Sequence, residues 1–352
     1  MGEALKSFRS GIAWANAGGA WPDMVFSTRV RFARNLEGFP FPNRAEPRQL
    51  AETRRLALAA ARATSLFARG HFLKTEALSA LERRFLVERH HISHALAASV
   101  LPSGAAVSCD EDLAVMVNEE DHLRLQCLRA GFAIEEAFSS ALKLDEALGR
   151  ELPFAYGARF GFLTACPTNT GTGMRVSCLA HLPALSRLGR MPQVLENLSH
   201  LGVTARGIYG EGTVALGDFY QISNATCLGR AEEDFCQNID RVIRNLIRQE
   251  IAAREALLKG PLKLRTEDAV FRALGLLRHA RRLSYEEFMQ NVSLARMGAA
   301  MGWNTGTDLS AFNQVTLQMQ PAHIQAAAGK PLGPEERDAF RAERVRAAFG
   351  GR

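Results

Sequence analysis

The 352-residue sequence lacks the features that mark membrane-spanning and secreted proteins. No stretch approaches the ~20 consecutive apolar residues that a membrane-spanning helix needs. The N-terminal residues also lack the apolar core of a secretory signal peptide. We therefore expect a cytoplasmic protein that has no membrane partner.

Cysteine is scarce and scattered, and two common nucleotide-binding motifs are absent. The six cysteines include no Cys-x-x-Cys pair, so neither a disulfide framework nor a zinc ribbon is indicated. The sequence has neither the Gly-Lys-Ser/Thr of a Walker loop nor a Rossmann glycine fingerprint. Its formal charge of +6 fits an anionic partner, but charge alone does not separate a nucleic acid from a nucleoside triphosphate or an acidic protein.

The pattern of apolar residues divides the chain into a mixed part and a helical part. Helical spacing is found over 48–65 and 76–99. Short β-like runs follow at 113–117, 122–128, 160–165, 174–182, 203–209 and 218–223. This order predicts an α+β domain with a largely antiparallel sheet. A long helix over 232–258 and further helical pattern then predict three segments, which are an N-terminal segment (1–22), the mixed domain (23–253) and a helical C-terminal domain (254–352).

The first candidate motif is an acidic turn between two β-like runs, Asn-Glu-Glu-Asp-His-Leu-Arg at 118–124. If a strand pleat extends back through the turn, period-two alternation places Glu120, His122 and Arg124 on one face. A carboxylate and a guanidinium then line one surface. Taken alone, such a turn is most often a solvated charged hairpin.

Two glycine-rich loops carry further charged residues. The loop Cys-Pro-Thr-Asn-Thr-Gly-Thr-Gly-Met-Arg (166–175) can expose backbone N–H groups that cradle phosphate oxygens, and Arg175 adds charge at its exit. The loop Arg-Gly-Ile-Tyr-Gly-Glu-Gly (206–212) joins Arg206 to Glu211. Either loop alone is more often an ordinary turn.

A fourth motif, Ser-Thr-Arg-Val-Arg at 27–31, adds Arg29 and Arg31, which brings the set to five arginines and two carboxylates. In order and spacing the four motifs resemble the signatures of the phosphagen (ATP:guanido) kinases over about residues 23–253. The resemblance implies their catalytic domain, a glutamine-synthetase-like, largely antiparallel sheet flanked by helices. It also implies ATP as phosphoryl donor and Mg²⁺ bound through the ATP, without metal ligands from the protein. Arginines and Mg²⁺ suit this chemistry, because a phosphoryl group in transfer carries negative charge.

The same resemblance implies roles for individual residues. Glu120 is expected to be the catalytic base, with Glu211 as a second carboxylate that orients the acceptor guanidinium. His90 matches the histidine that contacts adenine best, with His91 second, and Cys166 corresponds to a reactive thiol near the acceptor. The ATP site is expected to comprise Ser27, Thr28, Arg29, Val30, Arg31, His90, Arg124, Arg175, Val176, Ser177, Cys178, Leu179, Arg206, Gly207, Ile208, Tyr209, Gly210 and Glu211.

The region after the catalytic domain suggests which guanidine is phosphorylated. Kinases for free arginine or creatine carry a helical domain before the Ser-x-Arg-x-Arg strand, whereas only 26 residues precede Ser27. The arrangement resembles the bacterial protein arginine kinases of the McsB type, which implies exposed arginines of proteins as acceptors. It also implies a homodimer, a zinc-binding activator protein, an AAA+ protease partner and a role in the stress response and protein quality control.

The tail carries one further motif. Gly333-Pro334 predicts the start of a helix, in which Arg337, Arg341 and Arg344 share one face. In McsB-type kinases an Arg-Asp-x-x-Arg-Ala motif binds phosphoarginine as an allosteric ligand. By resemblance that site comprises Arg337, Asp338, Arg341 and Ala342.

Four alternatives stay open. The protein could phosphorylate free arginine or another small guanidine, or it could be a phosphoarginine-binding adaptor with an inactive kinase site. Direct binding of nucleic acid rests only on the positive charge and is not expected. His90, His91 and His94 could form a metal site, although no Cys or acidic residue follows with ligand spacing.

Overall fold

The structure, a computed structural model, describes residue 8 and residues 11–207 and 215–350. At its centre lies a β-sheet whose neighbouring strands all run antiparallel. Its strands are β1 (Val25–Arg34), β2 (His71–Lys74), β3 (Gly104–Val107), β4 (Leu113–Val117), β5 (Leu123–Ala130), β8 (Met174–His181), β9 (Val203–Arg206) and β10 (Phe219–Asn224). A separate hairpin is formed by β6 (Tyr156–Gly157) and β7 (Gly161–Phe162). Within the described residues the sheet order is β2-β3-β4-β5-β1-β8-β10-β9.

Helices pack against the sheet and form the C-terminal region. Those within or beside the sheet are α1 (Pro47–Ala63), α2 (Ala80–Glu88), α3 (His94–Ala98), α4 (Ile134–Gly149), α5 (Pro183–Arg187), α6 (Met191–His200) and α7 (Glu232–Leu257). The C-terminal helical region contains α8 (Gly260–His279), α9 (Tyr285–Ala300), α10 (Leu309–Gln318), α11 (Pro321–Ala328) and α12 (Pro334–Ala348). Helix α4 packs on β1 and β5, and α7 packs on β8 and β10. The α+β class with a largely antiparallel sheet is confirmed.

Strand β1 lies in the middle of the sheet and carries apolar side chains on its core face. Val30 and Phe32 are fully buried and join the main hydrophobic core. Arg29 and Arg31 alternate with them and are only partly buried. Since successive side chains of a strand point to opposite faces, one face of β1 belongs to the core and the other carries the arginines.

The helix predicted over 76–99 is two helices instead of one. Helix α2 ends at Glu88, and His90 has a φ of 61°, a left-handed conformation that interrupts a helix. Helix α3 then starts afresh, because the Ser93 hydroxyl accepts a hydrogen bond from the backbone N–H of Leu96. The break places residues 89–93 as an irregular segment beside the sheet.

The strand predicted over 160–165 is mostly irregular. Only Gly161–Phe162 pairs as a strand, within the β6–β7 hairpin. The backbone N–H of Ala165 donates to the side chain of Asp121 instead of to a neighbouring strand. The strand predicted over 203–209 is observed as β9, and residues 208–209 lie outside the described part.

The C-terminal helical region shares a hydrophobic core with the sheet. Helix α7 continues to Leu257, so the predicted boundary at residue 253 lies inside a helix. Arg296 of α9 is fully buried and donates hydrogen bonds to the carbonyls of Pro22 (2.6 Å) and Asp23 (2.9 Å), which precede β1. The two parts are therefore joined by polar as well as apolar contacts. None of the described helices is long and apolar enough to cross a membrane.

Candidate active site

The register of the three central strands places four of the predicted arginines on one face of the sheet. Arg31 of β1 lies opposite Arg175 of β8, and Arg29 lies two residues before Arg31. On the other side Arg31 lies opposite Gln126 of β5, and Arg124 lies two residues before Gln126. Residues that are directly opposite, or two apart in one strand, point to the same face. The fold itself therefore gathers these guanidinium groups.

The fifth predicted arginine reaches the same face through β9 and β10. Arg206 lies opposite Gln221 of β10, and Gln221 lies opposite Leu179 of β8. Leu179 is four residues after Arg175 in β8 and thus shares its face. All five predicted arginines consequently meet on one surface.

These side chains line a main cavity of about 320 Å³, which is bounded by Arg29, Arg31, Arg124, Arg175, Arg206, His90, Ser93, Glu119, Glu120 and Gln221, among others. A neighbouring side cavity of about 130 Å³ shares four of the five arginines and Glu120 with it. The far wall of the side cavity contains Cys166, Thr168 and Asn169. Cys166 is partly exposed, and its Sγ atom lies 3.0 Å from the Thr168 hydroxyl. The five arginines and the predicted thiol therefore line two neighbouring cavities that share a wall.

The main cavity has an excess of positive charge. Burial and the nearby charges of Arg124 and Arg175 lower the pKa of Arg29 to about 10. Burial and the charges of Arg29, Arg124 and Arg175 also lower the pKa of Arg31, while Glu119 opposes this shift. The Nε atoms of Arg29 and Arg31 are buried and have no hydrogen-bond partner among the described residues. Buried donors without acceptors cost free energy, which indicates a cavity suited to an anionic ligand.

Two adjacent glutamates of the turn before β5 have different surroundings. The side chain of Glu119 is 6% exposed, and one of its oxygens lies 2.5 Å from Nη1 of Arg124 while the other accepts a hydrogen bond from Ser93. The side chain of Glu120 is 54% exposed and lies 3.2 Å from Nη2 of Arg124. Of the two, Glu120 lines both cavities. Glu119 therefore fixes Arg124, a role that the sequence analysis missed, and Glu120 is accessible to a ligand.

The common face predicted for Glu120, His122 and Arg124 is wrong for His122. The strand begins only after His122, so period-two alternation does not extend back through the turn. His122 is fully buried, its Nδ1 accepts a hydrogen bond from the N–H of Leu36 (3.0 Å), and its Nε2 donates to the carbonyl of Pro40 (2.9 Å). His122 therefore anchors the turn, while the side chains of Glu120 and Arg124 face the cavity.

The loop before β8 lies close to neighbouring backbone at two glycines. Gly171 has a φ of 111°, and a Cβ there would lie 2.3 Å from the carbonyl oxygen of Cys227. Gly173 has a φ of 66°, and a Cβ there would lie 2.6 Å from the carbonyl oxygen of Ala33. Only glycine fits both the conformation and the space. The Gly-Thr-Gly sequence thus holds the loop that presents Cys166 to the side cavity.

Alternation divides the predicted ATP-binding residues between the two faces of the sheet. A recess next to the main cavity is lined by Ser27, Arg29, His90, Ser177 and Leu179, among others. Fully buried on the core side are the side chains of Thr28, Val30, Val176 and Cys178. For these four residues, contact with a nucleotide through the side chain is not supported, and only backbone atoms are available. Gly207 is buried, and the predicted residues that lie outside the described part are Ile208, Tyr209, Gly210 and Glu211.

The two candidate adenine-contacting histidines differ in position. His90 lines the main cavity and the recess, and burial together with the charge of Arg29 lowers its pKa to about 3, which keeps the ring neutral. His91 is fully buried, and its Nε2 lies 2.7 Å from a carboxylate oxygen of Glu111. Of the two, His90 faces the cavity. In the described ranges no group of three or more His, Cys, Asp or Glu residues is arranged to hold a metal ion, so the histidine metal site has no support.

The tail motif lies on α12, which starts at Pro334 as predicted. Arg341 is 2% exposed, and its Nε donates to the carbonyl of Met319 (2.9 Å). Its Nη1 donates to the carbonyl of Leu283 (2.8 Å) and to Asp338 Oδ1 (2.7 Å). These bonds join α12 to the starts of α9 and α11.

The predicted basic face of α12 is therefore wrong for Arg341. Arg337 is partly exposed and Arg344 is exposed, whereas Arg341 and Ala342 are buried. The reason is that α12 packs against α8 and α11, so one side of the helix must enter the core. The motif combines one buried arginine with a partly exposed arginine and aspartate.

The chain is similar to known proteins over nearly its full length. Residues 53–253 match the family model described as ATP:guanido phosphotransferase, C-terminal catalytic domain, and residues 263–351 match the protein-arginine kinase McsB C-terminal domain. A protein-arginine kinase of Symbiobacterium thermophilum is 42% identical over 342 residues, which are 96% of this chain and 97% of that protein. The protein-arginine kinase of Moorella thermoacetica is 44% identical over 341 residues, with the same coverage of 96% and 97%.

Similar solved structures are more distant in sequence. Lombricine kinase has a TM-score of 0.61 at 23% identity, over 72% of this chain and 71% of that chain. The duplicated taurocyamine kinase from Schistosoma mansoni has a TM-score of 0.57 at 23% identity, over 69% of this chain and 34% of that chain. These two structures show the fold alone, whereas the family models and the relatives show the family. The chain belongs to the ATP:guanido phosphotransferase family and, within it, to the protein-arginine kinases.

Proposed function

We propose that the protein transfers the γ-phosphoryl group of Mg·ATP to arginine side chains of other proteins. The observation that carries the proposal is the convergence of five guanidinium groups from four strands on a cavity that also holds Glu120. Relatives named protein-arginine kinase, which align with 96% of the chain, support a protein-bound arginine as acceptor.

The arginines are suited to bind the triphosphate and to stabilise the group in transfer. Charge develops on the phosphoryl oxygens, and fixed donors neutralise it without having to reorganise. The buried Nε atoms of Arg29 and Arg31 are donors of this kind. When bound, Mg²⁺ reduces the charge of the phosphates further. Its ligands would come from the nucleotide and from water, since Mg²⁺ in nucleotide sites usually keeps several waters.

Glu120 is suited to prepare the acceptor. An arginine guanidinium has no free lone pair, so it must lose a proton as its nitrogen attacks the γ-phosphorus. Glu120 faces both cavities and takes this proton. The new N–P bond forms while the bond from phosphorus to the β-phosphate oxygen breaks, and ADP leaves. Glu211, the second predicted carboxylate, lies outside the described residues.

His90 is suited to contact the adenine ring. Its neutral imidazole is held from behind by Trp14, with 5.4 Å between the ring centroids. Its backbone carbonyl accepts a hydrogen bond from the side chain of Gln126 at 2.5 Å. A neutral ring fixed in this way can pack against a base without repelling the nearby arginines.

We further propose that Arg337, Asp338, Arg341 and Ala342 form the predicted phosphoarginine site on α12. The bonds of Arg341 to protein groups use Nε and Nη1, while Arg337 and Asp338 are partly exposed. A titration with phosphoarginine tests this site, since Arg337→Ala should abolish saturable binding and Arg344→Ala should not. The homodimer, the zinc-binding activator, the AAA+ protease and the cytoplasmic location stay predictions.

The experiment that tests the function is incubation with Mg·ATP and an unfolded model protein, followed by mass spectrometry that preserves phosphoramidates. We expect phosphoarginine on the model protein, and loss of nearly all of it in the Glu120→Ala variant. The control is Glu151→Ala, which removes an exposed carboxylate at the end of α4. Full transfer by Glu120→Ala would refute the assignment of the base. A ³¹P signal on added free arginine, without any on protein, would establish the small-guanidine alternative instead.

A further inference from the structure

Glu88, the last residue of α2, binds the start of α11 in the C-terminal helical region. Its carboxylate accepts hydrogen bonds from the backbone N–H groups of Ala322 (2.7 Å) and His323 (3.0 Å). The second oxygen also lies 2.7 Å from Nδ1 of His323. The N-cap residue of α11, Gln320, makes no side-chain capping bond of its own. Glu88 therefore caps this helix from a distant part of the chain.

The residues that follow Glu88 build one wall of the main cavity. Arg89 and His91 both contact the buried carboxylate of Glu111, at 2.6 Å and 2.7 Å. Between them, His90 turns with a φ of 61° into the cavity. The position of His90 is thus set by its two neighbours and by the end of α2, which Glu88 fixes.

Packing strengthens the connection between α2 and α11. The rings of Phe85 and His323 lie 4.4 Å apart. A second hydrophobic cluster joins Phe85 and Leu86 of α2 to Ala322 and Ala326 of α11. The start of α11 is in turn fixed from α12, because Arg341 donates to the carbonyl of Met319, two residues before the helix. Contacts therefore run continuously from α12 to the cavity wall.

We infer that Glu88 is a positioning residue, through which the C-terminal helical region holds His90 in place for the nucleotide. The inference rests on the proposed function, because it requires ATP to bind beside His90. Glu88 itself does not line the cavities and touches α11 instead. Its effect on catalysis is then indirect: it changes affinity for the nucleotide and leaves the acceptor side intact.

The test compares Glu88→Ala and His323→Ala with wild type by calorimetric titration with Mg·ATP and by steady-state kinetics. We expect the dissociation constant and the KM for ATP to rise about 3- to 30-fold in both variants, with a smaller change in kcat. The matched control is Glu82→Ala. Glu82 is also a buried glutamate of α2 and caps a helix end, but its bonds go to Ser79 of the same helix.

The double variant Glu88→Ala/His323→Ala adds a second criterion. If both side chains act through their contact, the double variant should bind ATP about as weakly as the worse single variant. Equal ATP affinity in wild type and in folded His323→Ala would overturn the inference. A loss of ATP affinity in Glu82→Ala as large as that in Glu88→Ala would overturn it too. Absence of ATP binding in the wild type would instead refute the proposed function, so the two failures are distinguishable. His323→Ala keeps the test valid if Glu88→Ala does not fold.

Discussion

Replacing Arg29 with methionine is expected to stabilise the protein and to weaken ATP binding. Burial and the charges of Arg124 and Arg175 lower the pKa of Arg29 from 12.5 to about 10. Such a shift corresponds to about 3 kcal/mol against the charged form, and solvent in the cavity reduces this, so we expect a gain of about 1–2 kcal/mol. Because the folded pKa lies below the unfolded one, the cost is present below about pH 10 and fades as the pH rises towards 12.5.

Arg34 provides a matched control, since it lies five residues further along β1. Its side chain is 1% exposed, and its Nε and Nη2 each donate to a carboxylate oxygen of Asp145 at 2.8 Å. Arg34→Met leaves this carboxylate without its partner, which should lower the free energy of unfolding by about 3–5 kcal/mol. Replacement by methionine is thus expected to raise the free energy of unfolding at Arg29 and to lower it at Arg34, although both lie on one strand.

Urea denaturation of the ligand-free protein, followed by circular dichroism, measures the free energy of unfolding of both variants. Calorimetric titration with Mg·ATP measures nucleotide binding by Arg29→Met. We expect the dissociation constant of Arg29→Met to rise about 10- to 100-fold, because a hydrogen bond to a charged group contributes about 1.5–3 kcal/mol. If Arg29→Met unfolds at a lower urea concentration than wild type, as Arg34→Met should, then Arg29 is part of the structural framework and the argument from cavity charge is refuted.

Three further predictions concern the loop, a buried carboxylate and the thiols. Gly171→Ala should lower the rate of transfer at least about tenfold by displacing the loop, whereas Gly189→Ala, which also has a positive φ but open space around it, should cost only about 1 kcal/mol of stability. Hydrogen bonds from a buried histidine and arginine outweigh the effect of burial and lower the pKa of Glu111 to about 2. The difference in unfolding free energy between wild type and Glu111→Gln, large at neutral pH, should therefore shrink as the pH falls from about 4.5 to about 2. In labelling with a maleimide, Cys166 should react long before Cys178, since burial raises the pKa of Cys178 to about 12, and Mg·ATP with a protein acceptor should slow the reaction of Cys166.

Each of these predictions has an outcome that contradicts it. Unchanged turnover in Gly171→Ala would mean that the loop does not shape the site. A difference for Glu111→Gln that stays constant down to pH 2 would show that its charge does not contribute to stability. Labelling of Cys166 that is insensitive to both substrates would place the acceptor away from the side cavity.

That Arg29 and Arg31 share one face of β1 could be predicted from the sequence because it depends on local alternation, whereas the meeting of all five arginines is expected only from the family resemblance. Arg29 and Arg31 are separated by one apolar residue, so a strand must place them together. The same regularity explains why Val30 and Val176 offer no side chain to the cavity, because they occupy the intervening positions and are buried in the core. A motif names every residue of a segment, but a strand offers only every second one to a ligand.

Features that depend on distant partners could not be predicted in this way. Helix α2 ends where it does because Arg89 and His91 share Glu111, about twenty residues away, and no local signal marks that pairing. Glu119 and Glu120 are identical neighbours, and only the fold shows that Glu119 holds Arg124. Tertiary contacts of this kind outweigh helix propensity and strand periodicity.

The arginines of the fold differ in their partners as well as in their burial. Arg34 and Arg341 are both within the core, and each has a carboxylate within 2.8 Å, from Asp145 and Asp338. Arg29 and Arg31 face other guanidinium groups, and their Nε atoms stay without acceptors in the described structure. A fold gains no stability from bringing like charges together, so their arrangement is explained by a ligand that supplies the missing negative charge. Phosphate groups supply that charge together with the oxygen acceptors that the donors need.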